Sequence, residues 1–230
     1  MVVPVLRDQV EYLLKEYSRE HNGSADEIYS IMTEFLEGFE FLNQYKKAVS
    51  IYGSARQGFG SDVYNQAHLL GGLLAKDGFT VITGGGSGIM EAANKGAFEA
   101  GGKSVGLNIT LKHEQKINSY VTDSHEFHHF YVRKTMLAVA SKIYIFFPGG
   151  FGTLDELFEM LMLVQTEKIP RIPIILVNKE YWAPLAAWIK ECLFIKNQAI
   201  ALEDMHIYHI VDNANEAHQL IQTLTASIVF

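Results

Sequence analysis

The chain opens with two stretches in which apolar residues return every three to four positions. Val5, Val10, Leu13, Leu14 and Tyr17 line one face of the first. The second starts at the capping-box signature Ser24-Ala25-Asp26-Glu27 and continues through Ile31, Phe35, Leu36 and Phe39. From Ala48 onward the pattern changes to short apolar runs, each followed by glycine or small residues and then by a helical period. The runs predict strands over Ala48–Tyr52, Phe79–Thr83, Ser104–Asn108, Ile143–Phe147, Ile172–Val177 and Ile207–Val211. Several are continuously apolar rather than alternating, as parallel strands covered on both faces require. The helix Ser61–Asp77 between the first two stops at Gly78, a residue suited to a left-handed C-cap. Repetition of strand, turn and helix predicts an α/β fold, a doubly wound parallel sheet over residues 47–230. A helical extension over residues 1–46 precedes it, and its apolar stripe predicts packing on the sheet or on a partner subunit.

Such a sheet binds ligands beyond the carboxyl ends of its strands. Three predicted strand ends run into loops rich in small residues: Gly53-Ser54-Ala55-Arg56, Gly84-Gly85-Gly86-Ser87-Gly88 and Pro148-Gly149-Gly150-Phe151-Gly152-Thr153. In this topology they are expected to converge on one crevice. The last two precede helices, where exposed backbone N–H groups make a site for a phosphate or other anion and glycine lets it approach the main chain. Neither is a dinucleotide fingerprint, because G-x-G-x-x-G started at Gly84 or Gly86 puts Ile89 or Glu91 at the third glycine. Gly101-Gly102-Lys103-Ser104 mimics the end of a Walker A motif. However, Ala97 stands at its first glycine, and the order is helix to strand.

Glu156 stands one turn into the helix after the third loop, beside the expected anion. It has two readings: a functional carboxylate, or the far end of a capping box, Thr153-Leu154-Asp155-Glu156. Arg133-Lys134 opens a helix carrying Met136, Leu137, Val139 and Ala140, and cations in that place oppose the helix dipole unless an anion compensates them. His125-x-x-His128-His129 has no accepted metal-ligand spacing and reads as packing in an aromatic stretch, so no metal and no cofactor are called for.

Composition narrows the partners. With 230 residues, 48% of them hydrophobic and 20% charged, the chain can bury a sizeable core. Twenty-six acidic against 19 basic residues give a net charge of −7, which argues against nucleic acid or an anionic membrane as partner. The single cysteine, Cys192, fits a reducing compartment and lies in the apolar context Trp188–Phe194, as an inert core residue would. With no signal-like N-terminus and no apolar run of about 18 residues, the cytoplasm is the expected location.

Thr83–Met90 with Glu91-Ala92-Ala93-Asn94, then Val132-Arg133-Lys134, then the P-G-G-x-G-T-x-x-E run Pro148–Glu156, resembles the Lonely Guy family over about Ala48 to Trp182. That resemblance implies a Rossmann-like fold and a homodimer or larger homo-oligomer. It also implies hydrolysis of a nucleoside 5′-monophosphate, AMP or a cytokinin riboside monophosphate, to free base and ribose 5-phosphate. By the same resemblance Glu156 and Arg133 are catalytic. Ser54, Gly84, Gly85, Gly86, Ser87, Gly88, Glu114, Lys134, Gly149, Gly150, Phe151, Gly152 and Thr153 then bind the substrate. The chain departs from the plant-type pattern in reading Gly-Ile-Met-Glu for Gly-Leu-Met-Gly and in its extra N-terminal residues, and both favour a general purine nucleotide. The competing class, similar in fold, is a carrier that holds a phosphorylated ligand such as molybdenum cofactor without turnover.

Overall fold

The computed structural model describes residues 24–56, 61–110 and 117–226. The first apolar stripe, Val5 to Tyr17, and Glu114 lie outside them. The strands are β1 (Ala48–Tyr52), β2 (Thr80–Thr83), β3 (Ser104–Ile109), β4 (Asp123–Phe127), β5 (Tyr144–Phe146), β6 (Ile174–Val177) and β7 (Tyr208–Val211). All pair in parallel, in the order β4-β3-β2-β1-β5-β6-β7. The helices are α1 (Ser24–Leu42), α2 (Asp62–Lys76), α3 (Ile89–Glu99), α4 (Phe130–Val139), α5 (Phe151–Gln165), α6 (Lys179–Trp188) and α7 (Ala214–Thr225).

Alternation along the strands builds two cores. Val49, Ile51, Val81 and Ile145 point to the face covered by α2, α3 and α7, whereas Ala48, Tyr52, Ile82, Tyr144 and Phe146 point to the face covered by α1, α4, α5 and α6. Because both faces are apolar, the central strands read as unbroken hydrophobic runs. α2 and α3 touch through their backbones: a Cβ on Gly71 would lie 2.3 Å from the Ala93 carbonyl oxygen.

Local signals set several element ends. The Ser61 side chain accepts from the Tyr64 N–H at 3.2 Å and starts α2, and Gly78 beyond its end has φ +81°. The sequence pattern omits β4, an edge strand on which only Phe127 is buried, so Asp123, Ser124 and Glu126 break its apolar run. Cys192 is also placed differently from expectation. It is partly exposed in a π-helical segment, Ile189–Lys196, flanked by half-exposed Trp188 and Ile195. Among the described residues no helix is long and apolar enough to cross a membrane.

From β1 the chain runs outward through β2, β3 and β4 before crossing back to β5 on the other side of β1. The reversal opens a crevice between the carboxyl ends of β1 and β5, the place where doubly wound sheets bind ligands.

Candidate active site

The three loops meet at that crevice and are bonded to one another. Ser54 is the hub: its N–H donates to the Pro148 carbonyl at 3.0 Å, and its carbonyl accepts from the Ile89 N–H at 3.0 Å. Between them lies a cleft of about 890 Å³, lined by Gly53–Arg56, Gly84, Met90, Phe130, Arg133, Pro148–Leu154, Glu156 and Tyr181.

The glycines divide by what they face. Gly85 and Gly88 have φ of +72° and +69°, and a Cβ on them would meet the Asn108 side chain at 2.2 Å and the Ser54 carbonyl oxygen at 2.3 Å. They let the loop close on β3 and on the Gly53–Arg56 loop and do not line the cleft. Gly86 and Ser87 are likewise held away from it. The Gly86 carbonyl accepts from Asn118 Nδ2 at 3.0 Å, and the Ser87 hydroxyl donates to the Ala55 carbonyl at 2.9 Å. Gly84 does line the cleft, where a Cβ would fall 2.4 Å from Arg133 Nη2. Gly149 is filled by Thr153, whereas Gly150 and Gly152 face open space.

α5 begins at Phe151, with Gly150 as N-cap in extended conformation and no side-chain cap. The Leu154 N–H already bonds the Gly150 carbonyl at 3.0 Å. Thr153 is therefore inside the first turn and Glu156 a full turn beyond the helix start, which removes the capping-box reading. The first amides of α5 have no intrahelical acceptor and stand behind the open Gly150 and Gly152, a ready anion site.

Arg133 comes from α4. That helix starts at Phe130 rather than at the cationic pair, so Arg133 sits one turn in. Its Nε donates to the Leu107 carbonyl at 2.7 Å and its Nη2 to the Gly84 carbonyl at 3.4 Å, which aims a largely buried guanidinium into the cleft. Burial works against its charge, while Glu156 and Tyr52 favour it. Burial also pushes the Glu156 carboxyl up to about 7, against the pull of Arg133 and with Asp155 adding to the rise. The cleft thus holds a fixed cation beside a carboxyl poised near neutrality. Lys134 points elsewhere, its Nζ 2.6 Å from Asp155 Oδ2 and 3.7 Å from Glu159 Oε2 on α5.

Phe151, expected from the glycine loop, is 91% exposed at the cleft mouth. Several other site residues carried no local signal, among them half-exposed Phe130 and Tyr181, which join it there. The Tyr181 hydroxyl donates to the Gly149 carbonyl and holds the glycine loop from α6. Tyr52, stacked on Phe146 at 4.8 Å, lines the same cleft as Arg133 and Glu156, with its hydroxyl on the Leu137 carbonyl. Asn94 and Asn118 form a buried network that fixes the Gly84–Gly88 loop. Thr83 donates to Asn94 Oδ1 at 2.6 Å, and Asn118 Nδ2 to the same oxygen and to the Gly85 carbonyl. Asn94 stands on the buried side of a helix next to Ala92 and Ala93, the one sequence cue for it.

His128 and His129 are engaged by Glu34, and His125 packs between Phe41 and Phe127. Among the described residues no group of His, Cys, Asp or Glu is arranged to hold a metal ion.

A cytokinin riboside 5′-monophosphate phosphoribohydrolase of Rhodococcoides fascians is 28% identical over 63% of this chain and 74% of its own length. One from Arabidopsis thaliana is 31% identical over 64% of this chain, which spans 63% of that relative, just under two thirds. Among solved structures, the molybdenum cofactor carrier protein of Chlamydomonas reinhardtii superposes with a TM-score of 0.61 at 21% identity, over 79% of this chain and 99% of its own. The molybdenum cofactor binding protein of Rippkaea orientalis gives 0.60 at 21%, over 78% and 97%. These two share the fold. A family model described as "possible lysine decarboxylase" matches residues 90–221. With more than half of its length matched by that model, the chain belongs to the family that carries this description, that of the Lonely Guy proteins.

Proposed function

We propose that the protein hydrolyses the N-glycosidic bond of a purine-type nucleoside 5′-monophosphate, releasing free base and ribose 5-phosphate. The observation that carries this reading is the Glu156 carboxyl, held near neutrality opposite Arg133 in a cleft that ends on the uncapped N-terminus of α5. The phosphate rests on the α5 amides at Gly150–Thr153, and Arg133 binds phosphate or ribose oxygens. That anchorage fixes the ribose with its anomeric carbon towards Glu156. The C1′–N bond breaks with its electron pair leaving on the base, water adds to C1′, and the base takes up the proton that the water loses. Ionised Glu156 stabilises the oxocarbenium-like state, and a carboxyl poised near 7 can accept a proton and return it in one cycle. The names of the phosphoribohydrolase relatives support the same chemistry.

The family description suggests a decarboxylase dependent on pyridoxal phosphate, which needs a lysine to carry it. Among the described residues none lining the cleft is a lysine, and Lys134 is committed to Asp155 and Glu159. The site does not fit that group. Glu91, at the departure from the plant-type motif, accepts from the Tyr64 hydroxyl at 3.3 Å outside the cleft. Selection of the base therefore falls to the aromatic mouth formed by Phe130, Phe151 and Tyr181. Incubation with a panel of nucleoside monophosphates, followed by chromatography, should show free base and ribose 5-phosphate without inorganic phosphate. Adenosine should react at least about 100-fold more slowly than AMP, since positioning is lost with the anion. Equal rates on adenosine and AMP would contradict the reading, and binding without base release from any nucleotide would favour a carrier.

A further inference from the structure

We propose that Glu34, on the N-terminal helix α1, is a positioning residue for Arg133. The proposal rests on the hydrolase reading above for its kinetic consequences. Glu34 is 7% exposed, and both its carboxylate oxygens are occupied by the start of α4. Oε1 accepts from the His128 N–H at 2.6 Å and lies 3.0 Å from His128 Nδ1. Oε2 accepts from the His129 N–H at 3.1 Å and lies 3.1 Å from His129 Nδ1. A helix start leaves amides without partners and carries partial positive charge, so one buried carboxylate answers both needs. His129 is the N-cap of α4, and its side chain caps nothing there. Its carbonyl accepts from the Arg133 N–H at 3.1 Å. The contacts therefore run in series, from Glu34 to His129 to the backbone of Arg133, one turn from the cleft.

Other contacts make α1 the seat of α4. A Cβ on Gly38 would lie 2.8 Å from Met136 Sδ, so α1 and α4 pack face to face without clearance. At the end of the segment, the Tyr45 hydroxyl donates to Asp123 on β4, the strand that leads into α4. Burial pushes the Glu34 carboxyl up, but the two amides and two imidazoles outweigh it and hold it below the usual carboxylate range. The group is therefore ionised where it meets the helix.

The test compares wild type, Glu34→Ala, Glu34→Gln, Arg133→Ala and the double variant Glu34→Ala/Arg133→Ala. Glu34→Ala should lower kcat/KM for AMP about 10-fold or more and shrink the preference for AMP over adenosine. Glu34→Gln, which still accepts an amide, should recover part of the loss. In the Arg133→Ala background, removing Glu34 should change kcat/KM less than about 3-fold, because the group it positions is gone. Additive losses in the double variant, or an unchanged preference for AMP, would overturn the proposal. Hydrogen exchange reads the placement without substrate. Amides 128–133 should exchange at least about 10-fold faster in Glu34→Ala while those of β1 and β5 keep their rates, and unchanged exchange at 128–133 would also overturn it. Faster exchange in a protein that hydrolyses no nucleotide would count against the hydrolase and not against the link from Glu34 to Arg133.

Discussion

Replacing Glu156 with glutamine should make the protein more stable at alkaline pH while disabling it. In the fold the carboxyl titrates near 7 instead of its ordinary 4.5 because burial disfavours the charged form. A carboxyl whose pKa rises on folding is bound more tightly to its proton in the folded state. Its contribution to stability is therefore greatest below about pH 4.5 and is lost as the pH climbs through 7. The interval from 4.5 to about 7 corresponds to about 3 kcal/mol. For a chain of this length each kcal/mol moves Tm by roughly 2–4 °C, so the full shift would be roughly 6–12 °C. The glutamine amide is itself polar and partly buried, so about half of that gain is expected. Thermal melts of both proteins between pH 4.5 and 8.5 test this, because the other titrating groups cancel in the difference. The variant's advantage should be close to zero at pH 4.5 and about 5 °C at pH 8. A glutamine variant that melts below the wild type at pH 8, or a difference that does not vary with pH, would refute the assignment of a buried carboxyl that holds its proton up to about pH 7.

Two more outcomes follow from the geometry. Gly84→Ala places a Cβ 2.4 Å from Arg133 Nη2 and 2.9 Å from Met90 Sδ. It should displace the guanidinium, lowering kcat/KM for AMP about 10- to 100-fold with Tm changed by only a few degrees, and unchanged kinetics would contradict the placement of Arg133. Deleting residues 1–46 uncovers the face on which Leu42 and Tyr45 pack and removes the carboxylate from the start of α4. The truncated chain should aggregate or change its oligomeric state in size-exclusion chromatography, and a monodisperse truncation with wild-type melting would count against that.

The central sheet was legible because both of its faces are buried, so β1, β5 and β6 announce themselves as largely apolar runs. β4 was not, since an edge strand with one buried side chain can carry Asp123, Ser124 and Glu126. Convergence of the three loops followed from strand order, and Arg133, Glu156, Gly150, Gly152, Thr153 and Ser54 all line the cleft. The sequence could not separate glycines that face a ligand from glycines that face the protein. What Gly85 or Gly88 meets is Asn108 or Ser54, and only the folded chain brings these together. The same holds for the Thr153–Glu156 motif, whose spacing satisfies a capping box although the helix begins earlier, at Phe151. Lys134 shares every local feature of Arg133, yet the helix turn sends it to Asp155. Glu34 carried no signal at all, because its partners are 94 and 95 residues away.

The role of Glu156 is tested most directly by AMP hydrolysis with Glu156→Gln, followed by chromatographic detection of adenine with AMP binding measured in parallel. If Glu156 stabilises the developing oxocarbenium ion, adenine release should fall by about 100-fold or more while AMP is still bound. Near-wild-type release of adenine by the glutamine variant would contradict a catalytic role for Glu156.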